Sequence, residues 1–197
     1  MAREKKSMDW KNKEQLNAFR TLVRSFYDYQ RERIALDGRI GITKSGKRKK
    51  GAPARNASIL KELLHRREEL RKMEDDLEKA IAEYVKTHPL WDVFFKKVKG
   101  CGPMMAAVVL SEIDIEKAHS VSCIWSYAGL APGKDRKVKG QKCTYNAFLR
   151  AKLCGVLGGS FLKARDGYYA KFYYDEKHRL EHSNRLVKER LRFEDRK

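Results

Sequence analysis

The sequence lacks the features that would place the chain in a membrane. No apolar run approaches the ~20 residues that a membrane-spanning helix needs, and neither a signal peptide nor a lipidation motif is present. We therefore expect a soluble, cytoplasmic protein.

The four cysteines show no C-x-x-C spacing and stand beside apolar or small neighbours, so they predict reduced, partly buried thiols rather than disulfides or zinc ligands. His178 and His182 lie one helical turn apart, but the segment HRLEH differs from the H-E-x-x-H zinc motif. We expect no metal site and no cofactor.

Acidic residues are scarce relative to basic ones. The chain has 26 Asp and Glu against 45 Lys and Arg, which gives a net charge of +19 over 197 residues. Such an excess repels itself in the folded state unless a polyanion neutralises it. Nucleic acid is the expected partner, and an anionic membrane surface is the alternative.

A glycine pair organises the middle of the chain. Gly100 and Gly102 stand between a basic segment and an apolar run that begins at Pro103. The pattern apolar-x-Gly-x-Gly-x-x-x-Ala is typical of a helix-hairpin-helix, in which glycines with positive φ and the free amides of a helix N-terminus, here at Met104 and Met105, meet a phosphate. The alternative is a tight turn that only packs two core helices.

Two long helices are predicted before this hairpin. Apolar residues recur at helical period from Lys13 to Asp37, where a helix should end near Gly38. A second helix should run from Ser58 to Thr87 with a heptad seam, although Arg67 interrupts the seam. The two should pair antiparallel as a rod with the basic segment 38–56 as a mobile loop at its tip, and a parallel dimer through the same seam is the competing use.

Three helical regions are expected after the hairpin. A short helix should start at Ser120, and a longer one should span Tyr145 to Ala164 with Arg150 and Lys152 pointing outward. The segment from Arg165, RDGYYAKFYYDEKHRL, interleaves aromatic and charged residues. It fits either stacking on unpaired bases or an ordinary core helix.

Three segments carry a family resemblance: VKGCGPMMAAVVLSEIDI at the hairpin, the run from Ser120 that ends in YAGLAP at Pro132, and a basic segment that ends in FLRAKL. They resemble the Nop-domain-like C-terminal domain of insertion-element transposases guided by a bridge RNA, and of Tas proteins, which use tandem interspaced guide RNAs to find DNA. The arrangement is also similar to the Nop domain of box C/D ribonucleoproteins. The resemblance covers about residues 58–180 and implies a prokaryotic or phage-encoded ribonucleoprotein.

Two departures from those transposases bear on activity. Their N-terminal RuvC-like domain, with four acidic metal ligands, is not expected upstream of Lys13. Their catalytic serine follows the GLAP motif in a Ser-Gly pair, whereas residues 133–140, GKDRKVKG, contain no serine. The resemblance is closest to a nuclease-free Tas protein, so we expect no enzyme activity and no catalytic residues.

The sequence as a whole predicts an all-α protein in three parts. Residues 1–88 form the N-terminal helix, basic loop and coiled-coil hairpin, residues 89–182 a compact Nop-like domain with the helix-hairpin-helix, and residues 183–197 a charged tail. We expect a homodimer that holds a guide RNA for pairing to target DNA and that works with a separate nuclease if one is recruited. The expected nucleic-acid contacts are Lys47, Arg48, Lys49, Lys50, Lys97, Lys99, Gly100, Gly102, Lys134, Arg136, Lys137, Lys139, Lys142, Tyr145, Asn146, Arg150, Lys163, Arg165, Lys171 and Arg179.

Two other functions remain open. One is a remnant or partner-dependent serine transposase with Ser160 or Ser126 as nucleophile. The other is a structural RNA-binding or nucleoid protein that uses no guide.

Overall fold

A computed structural model of the chain describes residues 8–43, 47, 57–133, 140–165 and 167–183. These residues form helices and no β-strand, so the predicted all-α class is confirmed. The helices are α1 (Lys13–Ile40), α2 (Ala57–Thr87), α3 (Pro89–Val93), α4 (Pro103–Glu112), α5 (Val121–Tyr127), α6 (Ala147–Ala151), α7 (Gly158–Ala164) and α8 (Tyr169–Glu181). A 3-10 turn (Phe95–Lys97) follows α3, and a π-helical turn (Lys152–Leu157) joins α6 to α7.

The two long helices pack antiparallel, as the sequence predicts. The ring of Phe19 near the start of α1 meets Tyr84 near the end of α2, with centroids 6.0 Å apart. Farther along α1, Arg33 binds Glu74 of α2. The apolar seam of α2 is thus used within the chain, which argues against its use in a parallel dimer.

Buried charges fix the register of this hairpin. Arg67, which interrupts the heptad pattern, pairs with Asp37 of α1 at 2.5 Å. Asp37 also accepts a hydrogen bond from Arg33 at 3.1 Å, and Arg33 holds both carboxylate oxygens of Glu74. Asp37 and Glu74 are only 7% and 6% exposed, so slipping either helix would leave buried charges unpaired.

The first helix ends later than predicted. It passes through Gly38 to Ile40, and Gly41, with φ +72°, forms the left-handed cap whose amide binds the carbonyl of Asp37. Ile40 is 1% exposed, so its burial stabilises the extra turn. The basic segment that follows lies outside the described residues, apart from Lys47, whose carbonyl accepts hydrogen bonds from Thr43.

Helix α4 lies in the centre of the core. Its residues from Met105 to Val108 are at most 5% exposed and pack in one cluster with Val23 of α1 and Ile81 and Val85 of α2. A helix that is apolar on most sides is stable only when neighbours cover it, and the base of the long hairpin provides that cover. The glycine segment just before α4 is therefore held close to the part of the α1–α2 pair that contains Val23, Ile81 and Val85.

Two expectations need correction. The region predicted as one helix from Tyr145 begins at Ala147 and is interrupted by the π-helical turn. The cysteines are all free, but Cys123 and Cys154 are exposed, so the expectation of partial burial is wrong for these two. Among the described helices, none combines the length and apolar composition needed to cross a bilayer.

Candidate nucleic-acid interface

The glycine hairpin is built from a short first arm and a buried second arm. Helix α3 and the 3-10 turn form the first arm, and α4 forms the second arm. Gly100 has φ +90°, and a Cβ atom there would lie 3.1 Å from the backbone of Ser160 in α7. One glycine of the motif therefore allows α7 to approach the turn closely.

Gly102 differs from the prediction. Its φ is −76°, so the expected positive φ is wrong at this position, and a Cβ atom would meet nothing within 4 Å. The amide of Met105 is also not free, because it binds the carbonyl of Gly102 at 3.1 Å. Gly102 is instead the exposed N-cap of α4, which leaves space at this helix end for a phosphate to approach.

The YAGLAP run forms a joint between α5 and α6. Gly129 has φ +72°, and the ring of Tyr145 lies where its side chain would be, with the nearest ring atom 2.5 Å from an ideal Cβ position. The amide of Asn146 binds the carbonyl of Tyr127 at 2.7 Å. Arg150 then lies over the ring of Tyr145 at 5.2 Å. Tyr145 and Arg150, both predicted to contact nucleic acid, thus have packing roles within the chain.

A buried carboxylate lies beneath this joint. Glu112, 1% exposed, accepts two hydrogen bonds from Arg24 of α1, at 2.8 and 2.9 Å. Asn146 donates to the same carboxylate at 2.6 Å, and its side-chain oxygen also caps α6 by accepting from Leu149. Burial alone would raise the pKa of Glu112, but the bonds from Arg24 and Asn146 hold that pKa below its ordinary value. Asn146 is therefore committed to holding Glu112 and the start of α6.

The other predicted contacts fall into three groups. Lys97, Lys99, Lys142, Lys163, Arg165 and Lys171 are exposed, as is Lys47. Arg179 is exposed but forms a bidentate pair with Glu176 of the same helix. Outside the described residues lie Arg48, Lys49, Lys50, Lys134, Arg136, Lys137 and Lys139.

Helix α8 and the residue before it carry exposed aromatic rings on more than one face, which are together called the aromatic row below. Its flanking Tyr168 and the helix residues Phe172, Tyr173 and Tyr174 are between 51% and 66% exposed. Only Ala170 of this helix is buried. The core-helix interpretation of the aromatic segment is therefore wrong for the chain as described, and the rings are accessible to a partner.

A pocket of about 290 Å³ opens between α1, the end of α4 and α5. Arg20, Lys117, Asp114 and Tyr127 are among its lining residues, and Arg20 donates to the carbonyl of Ser111 at 2.6 Å.

No three His, Cys, Asp or Glu side chains converge anywhere in the described ranges in a way that could hold a metal ion. The expectation that the protein has no metal site stays a prediction.

Helix α1 and the π-helical turn bring together basic residues that no local sequence pattern indicates. Lys152 was expected to point outward, but its Nζ lies 3.3 Å from the centroid of the Tyr27 ring. Arg24 lies over the neighbouring ring of Phe148 at 5.6 Å. These contacts join residues more than a hundred positions apart, so no local spacing could reveal them.

Residues 93–173 match the family model described as the transposase IS116/IS110/IS902 family. The match begins at the end of α3 and ends within α8, so it covers the hairpin, the YAGLAP joint and the first aromatic residues of α8. This part of the chain is therefore similar to a transposase domain of that family. No curated protein and no solved structure matches the chain.

Proposed function

We propose that this protein holds a guide RNA and presents it for base pairing to target DNA, without a nuclease of its own. Base pairing would supply sequence specificity, and the protein would recognise the backbone and shape of the nucleic acid. A homodimer is part of the proposal.

The transposase-like region carries this proposal. It spans the glycine hairpin and the aromatic row as far as Tyr173, which are the two features suited to phosphate and base contacts. The net charge of +19 supports nucleic acid as the partner. The resemblance of the same segments to guide-RNA proteins supports a guide RNA and its DNA target as the proposed partners.

The acidic side chains of Glu112, Asp114 and Glu116 are already paired with basic residues, which supports a nucleic-acid-binding role rather than a catalytic one. Glu112 is the most buried acidic side chain described, and its charge is already matched by Arg24. Two-metal phosphodiester chemistry needs several carboxylates that converge on a site. Asp114 and Glu116 lie nearby in sequence, but each forms an ion pair with a lysine, Lys117 and Lys13 respectively.

The family match also supports a second candidate function, that of a partner-dependent serine transposase. Ser160 and Ser126 are its candidate nucleophiles, and both are partly buried. A serine nucleophile needs a base within hydrogen-bond reach. The described contacts place the backbone of Ser160 against Gly100, which gives this residue a packing role.

Sequencing the nucleic acid that copurifies with the protein tests the proposal. One defined RNA supports it, a heterogeneous RNA mixture favours an unguided structural protein, and DNA alone contradicts it. The slope of log K against log salt should exceed about one in magnitude, because several neutralised phosphates release counterions. Replacing Lys47, Arg48, Lys49 and Lys50 together with Gln should flatten that slope.

Activity is tested with the purified ribonucleoprotein, matched DNA, and Mg²⁺ or Mn²⁺. The expected result is a stable complex without nicks, strand exchange or a serine–DNA adduct. Cleavage that disappears with Ser160→Ala would establish the transposase function instead. Ser126→Ala serves as the parallel variant.

A further inference from the structure

Lys152 occupies an unusual position for a lysine in a protein with so much positive charge. Its ammonium lies 3.3 Å from the centroid of the Tyr27 ring and 5.4 Å from that of Phe148. Tyr27 is 9% exposed and is fixed by edge-to-face contacts with Phe26 and Phe148. A cation over a fixed aromatic face is held in one place, so Lys152 is more ordered than a surface lysine.

The π-helical turn adds to this positioning. Lys152 is its first residue, directly after α6. A π-helical turn inserts an extra residue into a helix and changes the direction of the side chains beside it, and such turns are frequent at functional sites. The cluster formed by Lys152, Tyr27 and Phe148 is called the Lys152 platform below.

Lys152 lacks an acidic partner among the described residues. Within the described part of the chain, Lys152 forms no ion pair, whereas Arg24 beside it is held by Glu112. Burial and the charge of Arg31 both lower the pKa of Lys152. Arg31 itself pairs with the exposed Asp28, and Glu78 acts on Tyr27, whose pKa burial and that carboxylate raise to about 12.

We propose that the Lys152 platform binds a backbone phosphate of the nucleic acid. This inference rests on the proposed function, since it assigns a phosphate contact to the RNA-binding protein. A phosphodiester brings the negative charge that the platform lacks and needs no sequence-specific partner. The aromatic rings beneath the ammonium fix where the phosphate must lie.

The test compares Lys152→Gln with the matched control Lys79→Gln in binding a short single-stranded RNA between about 0.05 and 0.2 M salt. Lys79 is an exposed residue of α2. Each variant removes one positive charge, so the comparison tests whether the position of that charge matters. Lys152→Gln should reduce the magnitude of the salt slope by about 0.7 and weaken binding about fivefold at 0.1 M salt. Lys152→Arg, which keeps the charge, should retain the wild-type slope.

The results distinguish failure of the phosphate site at Lys152 from failure of the proposed RNA-binding function. A slope for Lys152→Gln equal to that for Lys79→Gln overturns the phosphate site while leaving RNA binding established. A lower melting temperature with an unchanged slope also overturns it, because the platform would then only stabilise the fold. Wild-type protein that binds no RNA overturns the proposed function.

Discussion

The ring of Tyr145 fills the space where a side chain at Gly129 would lie. The nearest ring atoms are 2.5 and 2.7 Å from an ideal Cβ position, and Gly129 has φ +72°. The glycine of the YAGLAP run is therefore required twice, for its backbone conformation and for the close approach of the ring. Because Asn146 follows Tyr145 and binds Glu112, this contact also aligns the buried carboxylate with its partners.

Gly129→Ala should lower the free energy of unfolding by about 2 to 4 kcal/mol, from the left-handed backbone and the overlap with Tyr145. Gly133→Ala is the matched control, since Gly133 has φ +79° but open space around it. The control should lose only about 1 kcal/mol, the cost of the backbone alone. Urea unfolding measures both, and equal losses would show that the Tyr145 contact does not matter.

The acid stability of the protein should depend on Glu112. Its pKa is lowered in the folded state, so its contribution is fully present above the unfolded value of about 4.3 and is lost as pH falls through the folded pKa. Glu112→Gln should therefore flatten the loss of stability below about pH 4. Glu116→Gln is the control, because Glu116 forms an exposed pair with Lys13.

The expected readout is the urea midpoint measured across the acid range. If the two variants follow the same pH profile as each other, the buried pair contributes nothing specific. Glu112→Gln should also be less stable than wild type at neutral pH, since Arg24 loses its bidentate partner.

Gly100 should matter for folding, whereas Gly102 should matter for nucleic-acid binding. Gly100→Ala should destabilise the fold, because Gly100 has φ +90° and meets the backbone of Ser160. Gly102→Val should fold with a stability within about 1 kcal/mol of wild type, since Gly102 has an ordinary φ and open space. Its branched side chain should nevertheless weaken RNA or DNA binding more than Lys96→Ala does, by blocking approach to the N-terminus of α4.

Melting curves and binding titrations on the same samples measure the two effects separately. Unchanged affinity in folded Gly102→Val would mean that the hairpin is only a packing turn. Lys96 suits the comparison because it already pairs with Asp92.

Local patterns in the sequence were enough to predict the long hairpin and the start of α4. The heptad spacing of α2 and the Gly-x-Gly-Pro run act over a few residues, where helix geometry alone determines the outcome. The heptad pattern showed Arg67 only as an interruption, because its partner Asp37 lies thirty residues away in another helix. Only the folded chain shows that the interruption fixes the register.

The candidate site was harder to predict for the same reason. Arg24 and Glu112 are 88 residues apart, and Lys152 reaches Tyr27 from another helix. The π-helical turn lies in a segment whose apolar spacing reads as an uninterrupted helix. The exposure of α8 also depends on which of its faces the rest of the chain covers, and periodicity cannot state that.

The aromatic row of α8 should bind unpaired bases. Phe172→Ala and Tyr173→Ala change exposed rings, so each should leave stability within about 0.5 kcal/mol of wild type. Each should weaken binding to single-stranded RNA by about 1 to 3 kcal/mol per stacked base, with the salt slope unchanged because stacking releases no counterions. Trp125→Ala, which removes an exposed ring outside α8, is the control.

Fluorescence titration and sedimentation of the same variants separate base stacking from contact between protein copies. The charges of α8 are balanced, with Lys171, Lys177 and Arg179 against Asp175, Glu176 and Glu181, so the helix itself attracts a phosphate backbone only weakly. Binding through α8 must therefore come from its rings, and loss of affinity at constant slope is the signature of that mode. Variants that keep full affinity but sediment as a smaller species would show instead that the row joins two copies of the chain.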